Sequence, residues 1–205
     1  AIVAEADAAG DAAHGERRAL AEQADRLAQT LSAHRSKLAG LRAEASAIEQ
    51  ALAAQKGGGN RAVDAVRASP GYETALAAAL GDDLAAALDD GAARYWSGAD
   101  IDDAAGPQWA ERLSHHVDAP DALGARLAQI WVVDTDDGQA LTLGQRLVTR
   151  DGRMRRWDGF TVTIAGAGDL AEQLVRRNRL ADLQNLIATE IRAVENAETQ
   201  DALLS

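Results

Sequence analysis

The sequence predicts an α+β protein: a compact β-containing domain inserted between two long helices that pair as an antiparallel coiled coil. Three observations carry that prediction. Apolar residues recur at alternating steps of four and three along the first arm. Leu-spaced helix returns after Asp169. The segment between them holds all three prolines, all four tryptophans and both tyrosines. The expected divisions are a first arm over 1–56, a central domain over 57–168 and a second arm over 169–205.

The first arm carries its seam on Leu20, Ala24, Leu27, Leu31, His34, Leu38, Leu41, Ala45, Ile48 and Leu52. That spacing keeps one narrow apolar stripe on one side of a helix, the coiled-coil pattern. A helix over 20–52 runs roughly 50 Å at about 1.5 Å per residue. A stripe so narrow does not hold a lone helix together in water, so a partner helix is required. In the second arm Leu180, Leu183, Ile187 and Val194 continue a seam, while Leu170 and Leu174 fall out of phase with it. Arg176, Arg177 and Arg179 sit at that phase break. Nothing else in the chain offers long partner helices, which disfavours an ordinary bundle.

Between the arms, Lys56-Gly-Gly-Gly-Asn60 stops the first helix, because three glycines cost too much backbone entropy to continue it. Residues 62–68 alternate and read as a strand. The run from Ser69 to Leu80 reads as a helix, with Ser69 as cap, Pro70 in the first turn and Glu73 near the positive end. Gly81 is a candidate stop. The stretch 89–109 reads as irregular, 119–129 as a second helix and 130–134 as a buried strand. Residues 147–164 read as a hairpin, with Asp151-Gly152 as a tight two-residue turn.

Composition bounds the function. Hydrophobic residues make up 47% of the chain but aromatics only 3%, so much of the apolar content is alanine, which suits helix and fills little core volume. The net charge of −11 repels nucleic acid and anionic membrane unless basic residues cluster. With no cysteine there is no disulfide, thiol nucleophile or thiolate zinc site. No apolar run is long enough to span a bilayer, and no basic-then-apolar leader opens the chain. A cytoplasmic protein is the expectation. The chain starts without Met and in helical character, and is expected to be part of something longer.

Catalytic signatures do not assemble. Neither Lys37 nor Lys56 follows a glycine, so no phosphate-binding loop is present. No serine is framed as a nucleophile. Counting an EF-hand loop from Asp134 puts Gly138 at position 5 and Gln145 at position 12, where calcium needs acids, so the run reads as a solvated turn. His115 and His116 are adjacent and point apart, which disfavours a shared metal. No catalytic residue, cofactor or metal is therefore expected. An acidic and histidine site from Asp82, Asp83 and His116, in a small ligand-binding or hydrolytic domain, is the alternative reading. Two basic clusters stand out. Arg146, Arg150, Arg153, Arg155 and Arg156 surround the hairpin, although residues 57–168 carry 10 Arg against 17 Asp and Glu. Arg176, Arg177 and Arg179 mark the root of the second arm, with Lys56 and Arg61 at the root of the first.

The order of motifs resembles the hinge of a bacterial condensin-type SMC (structural maintenance of chromosomes) protein. "VDAVRASPGYETALAAALGDDL" (63–84) resembles the start of that hinge, where a strand leads to a Gly-Tyr-Glu-x-Ala-Leu helix ending in Leu-Gly. "LAQIWVVDTDDGQAL" (127–141) with "GQRLVTRDGRMRRWDGF" (144–160) resembles its second half. The absence of Cys excludes the zinc-hook apex of related repair ATPases. Two departures stand out: a short stretch over 89–118, and Thr163-Ile164 where a glycine pair usually follows. The resemblance implies a two-half hinge that reverses the chain and forms a homodimer, with glycines such as Gly152, Gly159, Gly166 and Gly168 allowing close backbone approach. It further implies a role in chromosome condensation and segregation, a nucleoid-associated location, no membrane contact, and an ATPase head elsewhere in the parent protein. Weak, non-specific DNA contact is expected at Arg176, Arg177, Arg179, Lys56 and Arg61.

Overall fold

The structure, a computed structural model, describes residues 2–54, 60–100, 106–163 and 168–204. The chain divides into two compact units, Ala1–Glu49 with Ala181–Ser205, and Gln50–Leu180. No helix among the described residues is long and apolar enough to cross a membrane.

The first unit is made of helix. Helix α1 (Ile2–Ala54) supplies residues up to Glu49 and helix α5 (Gly168–Leu204) supplies residues from Ala181. Along α1, Leu31, Leu38 and Ala45 are buried, while Ala24, Leu27, His34, Leu41 and Ile48 are half-buried and the residues between them are exposed. Burial thus follows the heptad seam, except that Leu20 remains 52% exposed. On α5 the covered positions include Leu183, Ile187, Glu190, Val194 and Ala197. Arg35 reaches Glu198 and Lys37 reaches Glu190, so the two helices run antiparallel.

The second unit is built round helix α3 (Glu73–Leu80). All of its residues except Thr74 are buried, including Ala75, Leu76, Ala77, Ala78, Ala79 and Leu80. A helix buried all round must have small side chains where its neighbours approach, and the alanines supply them. It packs against a five-stranded sheet in the order β2-β4-β5-β6-β7. The strands are β2 (Glu111–Arg112), β4 (Ile130–Val133), β5 (Arg146–Thr149), β6 (Met154–Arg156) and β7 (Thr161–Val162). The β4–β5 pair is parallel, with Trp131 opposite Leu147, and the other pairs are antiparallel. A small second sheet joins β1 (Arg67–Ala68) to β3 (Val117–Asp118).

The core contains Leu76, Leu84, Leu113, Leu123, Ile130, Val148, Met154 and Leu174. At about 1.5–3 kcal/mol per buried large apolar side chain, these leucines and β-branched residues do the work that aromatics do in other domains. Leu174 and Ala171 belong to this core, and Leu170 packs on it. That explains why Leu170 and Leu174 are out of phase with the seam: the first turns of α5 present their apolar side to the domain core.

Several local readings need correction. Residues 62–68 do not form one strand: helix α2 (Ala62–Ala65) precedes the two-residue β1. The expected helix over 119–129 is a 3-10 turn (Asp121–Leu123) followed by one α-helical turn, α4 (Gly124–Leu127). Helix α3 begins at Glu73, after Tyr72, and Ser69 makes no side-chain cap. Instead Gly71 N–H donates to Glu73 Oε2 at 2.7 Å. Gly81 does end the helix, with φ 51°.

Gly106 lies against the six-membered ring of Trp131: a Cβ there would fall 1.5 Å from it. Gly106→Ala is therefore expected to lower stability by about 1–3 kcal/mol, the usual range for overpacking. Chemical denaturation followed by Trp fluorescence measures it, and a change within about 0.5 kcal/mol, typical of a neutral surface substitution, contradicts that packing.

Candidate functional site

The end of the sheet is shaped by two identical loops. Thr149 N–H donates to Arg153 O at 2.9 Å, and Gly152 N–H donates to Thr149 O at 3.0 Å. Arg156 N–H donates to Phe160 O at 2.8 Å, and Gly159 N–H donates to Arg156 O at 3.0 Å. Each is a three-residue loop whose last residue is a glycine at positive φ, 94° for Gly152 and 86° for Gly159. The expected two-residue turn at Asp151-Gly152 is thus one residue longer, and the second loop was not foreseen. Both glycines are required by their own loops. Gly152 is buried, whereas Gly159 is exposed with nothing within 4 Å of a built Cβ. Gly168 is the exposed first residue of α5, and Gly166 lies outside the described residues.

The second loop leads into β7, one edge of the sheet that is free among the described residues, and presents Trp157 (47% exposed) and Phe160 (53% exposed). The Arg156 guanidinium lies 4.9 Å from the Phe160 ring centroid. The other free edge is β2, next to Trp109 (46% exposed). Beside β2 a cavity of about 590 Å³ is lined by Tyr72, Trp109, Glu111, Asp134, Asp137 and Arg150, among others. Tyr72 itself is sandwiched. The His116 ring stacks on it at 3.9 Å and 9°, and the Arg150 guanidinium lies 4.8 Å from its centroid. Arg150 also donates to the Tyr72 hydroxyl at 2.8 Å.

The other four hairpin arginines have carboxylate or carbonyl partners. Arg155 binds Asp136 through two nitrogens, at 2.7 and 2.8 Å, and Gln139 O at 2.8 Å. That bidentate bond holds the Asp136 carboxyl below its ordinary range and raises Arg155. Arg156 pairs with Asp158, and Arg153 with Asp151 at 3.8 Å. Arg146 donates to Ala79 O and faces Asp83 at 3.6 Å; burial pulls its guanidinium below the usual range.

The arm-root cluster is partnered too. Arg61 binds Asp64 at 3.2 Å, and Arg177 binds the same carboxylate. Arg176 pairs with Glu172 one turn earlier at 2.9 Å. Arg179 is exposed and also engaged. Lys56 lies outside the described residues. The structure therefore brings Arg61 and Arg177 together through Asp64. Asn178, which the sequence reading passed over, donates to Ala68 O at 2.7 Å and to Glu73 Oε1 at 2.9 Å. The alternative acidic and histidine site is not assembled as such: His116 pairs with Glu111 at 3.0 Å and Asp83 faces Arg146. No group of three metal-ligating side chains occurs among the described residues.

The domain thus joins a five-stranded mixed sheet to a buried helix with a Gly-Tyr-Glu turn at its head. No family model matches the chain. Over 129 residues it is 42% identical to the chromosome partition protein Smc of Rhodopseudomonas palustris, covering 60% of this chain and 11% of that protein. Over 137 residues it is 39% identical to the chromosome partition protein Smc of Cereibacter sphaeroides, covering 62% of this chain and 12% of that protein. The chain thus spans about a tenth of the length of the curated relatives it matches. Among solved structures, an asymmetric dimer of the Geobacillus stearothermophilus SMC hinge domain has the same fold, with TM-score 0.64 and 18% identity over 91% of this chain and 96% of that one. Sequence and fold alike match a bacterial SMC hinge domain with flanking long helices.

The loop chemistry gives a test. The Arg156 guanidinium and the Phe160 N–H hold the Asp158 carboxyl down at about 2, from an ordinary 3.8. A carboxylate with a depressed folded value stabilises above its ordinary pKa, and that contribution fades as pH falls towards 2. In an NMR titration, Arg156→Gln is expected to move the Asp158 midpoint up towards 3.8. An unmoved midpoint rules out Arg156 as the cause.

Proposed function

We propose that this chain is the homodimerisation hinge of an SMC protein that acts, in the cytoplasm and on the nucleoid, in chromosome condensation and segregation. The observation that carries the reading is a sheet with two edges free among the described residues, β2 beside exposed Trp109 and β7 beside exposed Trp157 and Phe160. Exposed strand edges seek backbone partners, and aromatic residues are enriched at the cores of protein interfaces. The solved relative is a dimer, which supports the same state here. In a two-fold dimer, edge β7 of one copy meets edge β2 of the other, and the contact occurs twice. Gly159 and its loop set the position of Trp157 and Phe160, and Gly152, Gly166 and Gly168 are the remaining close-approach candidates. The ATP chemistry of the whole protein is assigned to regions outside this chain.

Light scattering on the full chain tests the dimer. The chain is expected to run at twice its monomer mass, and Phe160→Glu, an exposed position, is expected to return it to monomer with its circular dichroism intact. A dimer that survives Phe160→Glu moves the interface away from β7.

Weak DNA contact is proposed at Arg176, Arg177, Arg179, Arg61 and Lys56. The partnering of Arg61, Arg176 and Arg177 with carboxylates limits the free positive charge there. Binding is expected to be sequence-independent, to weaken with salt at a log–log slope of roughly −0.9 per duplex phosphate contact, and to be lost in Arg176→Glu with Arg177→Glu. Unchanged binding in that variant places the contact elsewhere.

A further inference from the structure

Among the described residues, the seam of the helical unit contains one buried carboxylate. Glu190 is 4% exposed and occupies the seam position between Ile187 and Val194. His34 Nδ1 lies 2.5 Å from Glu190 Oε1, and Lys37 Nζ lies 2.8 Å from Oε2. His34 is likewise a seam residue, and the one polar residue among Leu20, Ala24, Leu27, Leu31, Leu38, Leu41, Ala45, Ile48 and Leu52. Each helix thus places one polar residue in an otherwise apolar stretch of seam, and the two meet.

We infer that His34, Lys37 and Glu190 form a polar layer that fixes the register in which α1 and α5 pair. Apolar seams are permissive: leucine packs against leucine in more than one register, so they hold helices together without choosing among slides. A carboxylate removes that freedom. A slide by one seam step sets Glu190 against Leu31 or Leu38, and a slide by one heptad sets it against Leu27 or Leu41. Each alternative parts the carboxylate from the His34 and Lys37 pair that holds it, and a buried charge stripped of its paired cations is strongly disfavoured. Arg35 with Glu198, exposed and 2.6 Å apart, adds a second antiparallel bond that the same slides break. The layer is a positioning device and trades some stability for a single alignment.

The absence of cysteine makes the test clean, because nitroxide labels attach only at introduced thiols. Arg42→Cys and Glu195→Cys place labels at exposed positions on the two helices, well separated along the axis. Sliding α5 by one heptad changes their separation by about 10 Å, and by one seam step about 5 Å, at about 1.5 Å per residue. With the native layer, pulsed dipolar spectroscopy is expected to give a single distance. In the labelled His34→Leu, Glu190→Leu variant a second, displaced distance is expected, while the melting temperature holds or rises. A merely structural ion pair predicts the opposite: a lower melting temperature and the same single distance, which overturns the inference. If the leucine pair loses its helical signal, Glu190→Ala is judged by the same distance criterion.

Discussion

Burying helix α3 on all sides is the constraint from which the hinge domain is built. A helix leaves amide donors at its start and carbonyl acceptors at its end, and water cannot reach them in a core. Three separate regions place polar bonds round the two ends of this helix. Gly71, at φ 88°, turns its N–H onto Glu73. Asn178 on α5 reaches Glu73 and also Ala68 O. Arg146 on β5 crosses to Ala79 O near the helix end. Turn, sheet and following helix are tied to one element by polar bonds as well as by packing. The Gly-Tyr-Glu motif has a physical meaning in this chain: glycine makes the turn, tyrosine fills the sandwich between His116 and Arg150, and glutamate holds the helix start.

The same economy explains the charge pattern. The chain carries 21 basic and 32 acidic residues, and the hinge arginines are spent mainly inside the fold. Arg155 staples the β4–β5 crossover to β6 through Asp136 and Gln139. Arg61 and Arg177 clamp one carboxylate between the start of α2 and the start of α5. A crossover without a helix, and helices of a single turn, have little regular hydrogen bonding of their own. Ion pairs that are half-buried, as Arg177–Asp64 is, are less screened than surface pairs and add geometric definition there. Clustering in sequence was therefore a poor guide to free positive charge: the partners come from residues up to 113 positions away.

What was legible in the sequence is what repeats locally. The heptad on α1 predicted the buried stripe from Leu27 onwards, because period and burial are the same fact seen twice. The phase break at Leu170 and Leu174 was visible but unexplained until the hinge core was seen to claim them. Short elements were misread for the opposite reason. Residues 62–65 alternate like a strand, yet Ala62 N–H bonds Ala86 O and Val66 N–H bonds Ala62 O, a helical turn imposed by a distant partner. Residues 119–129 have helical composition but supply only one α-helical turn before Ile130 enters the sheet. Trp157 was noticed as composition and Phe160 only as the end of a motif, neither as a surface, since exposure is not a local property.

The two most buried glutamates among the described residues show how differently one problem is solved. Glu73, 8% exposed, has neutral donors around it: a backbone N–H and an amide. Those bonds are directional and short-ranged, and they define one local turn. Glu190, 4% exposed, meets an imidazole and an ammonium on the facing helix. Hydrogen bonds from both hold its carboxyl below the ordinary range, so acid weakens this layer as the carboxylate is neutralised, with the loss falling below the usual carboxylate pKa. In the hinge, long-range topology already dictates which residues meet, and a buried carboxylate needs only to be satisfied. In a coiled coil, repetition leaves the meeting undecided. There a charge that tolerates only one opposite number supplies information that packing lacks.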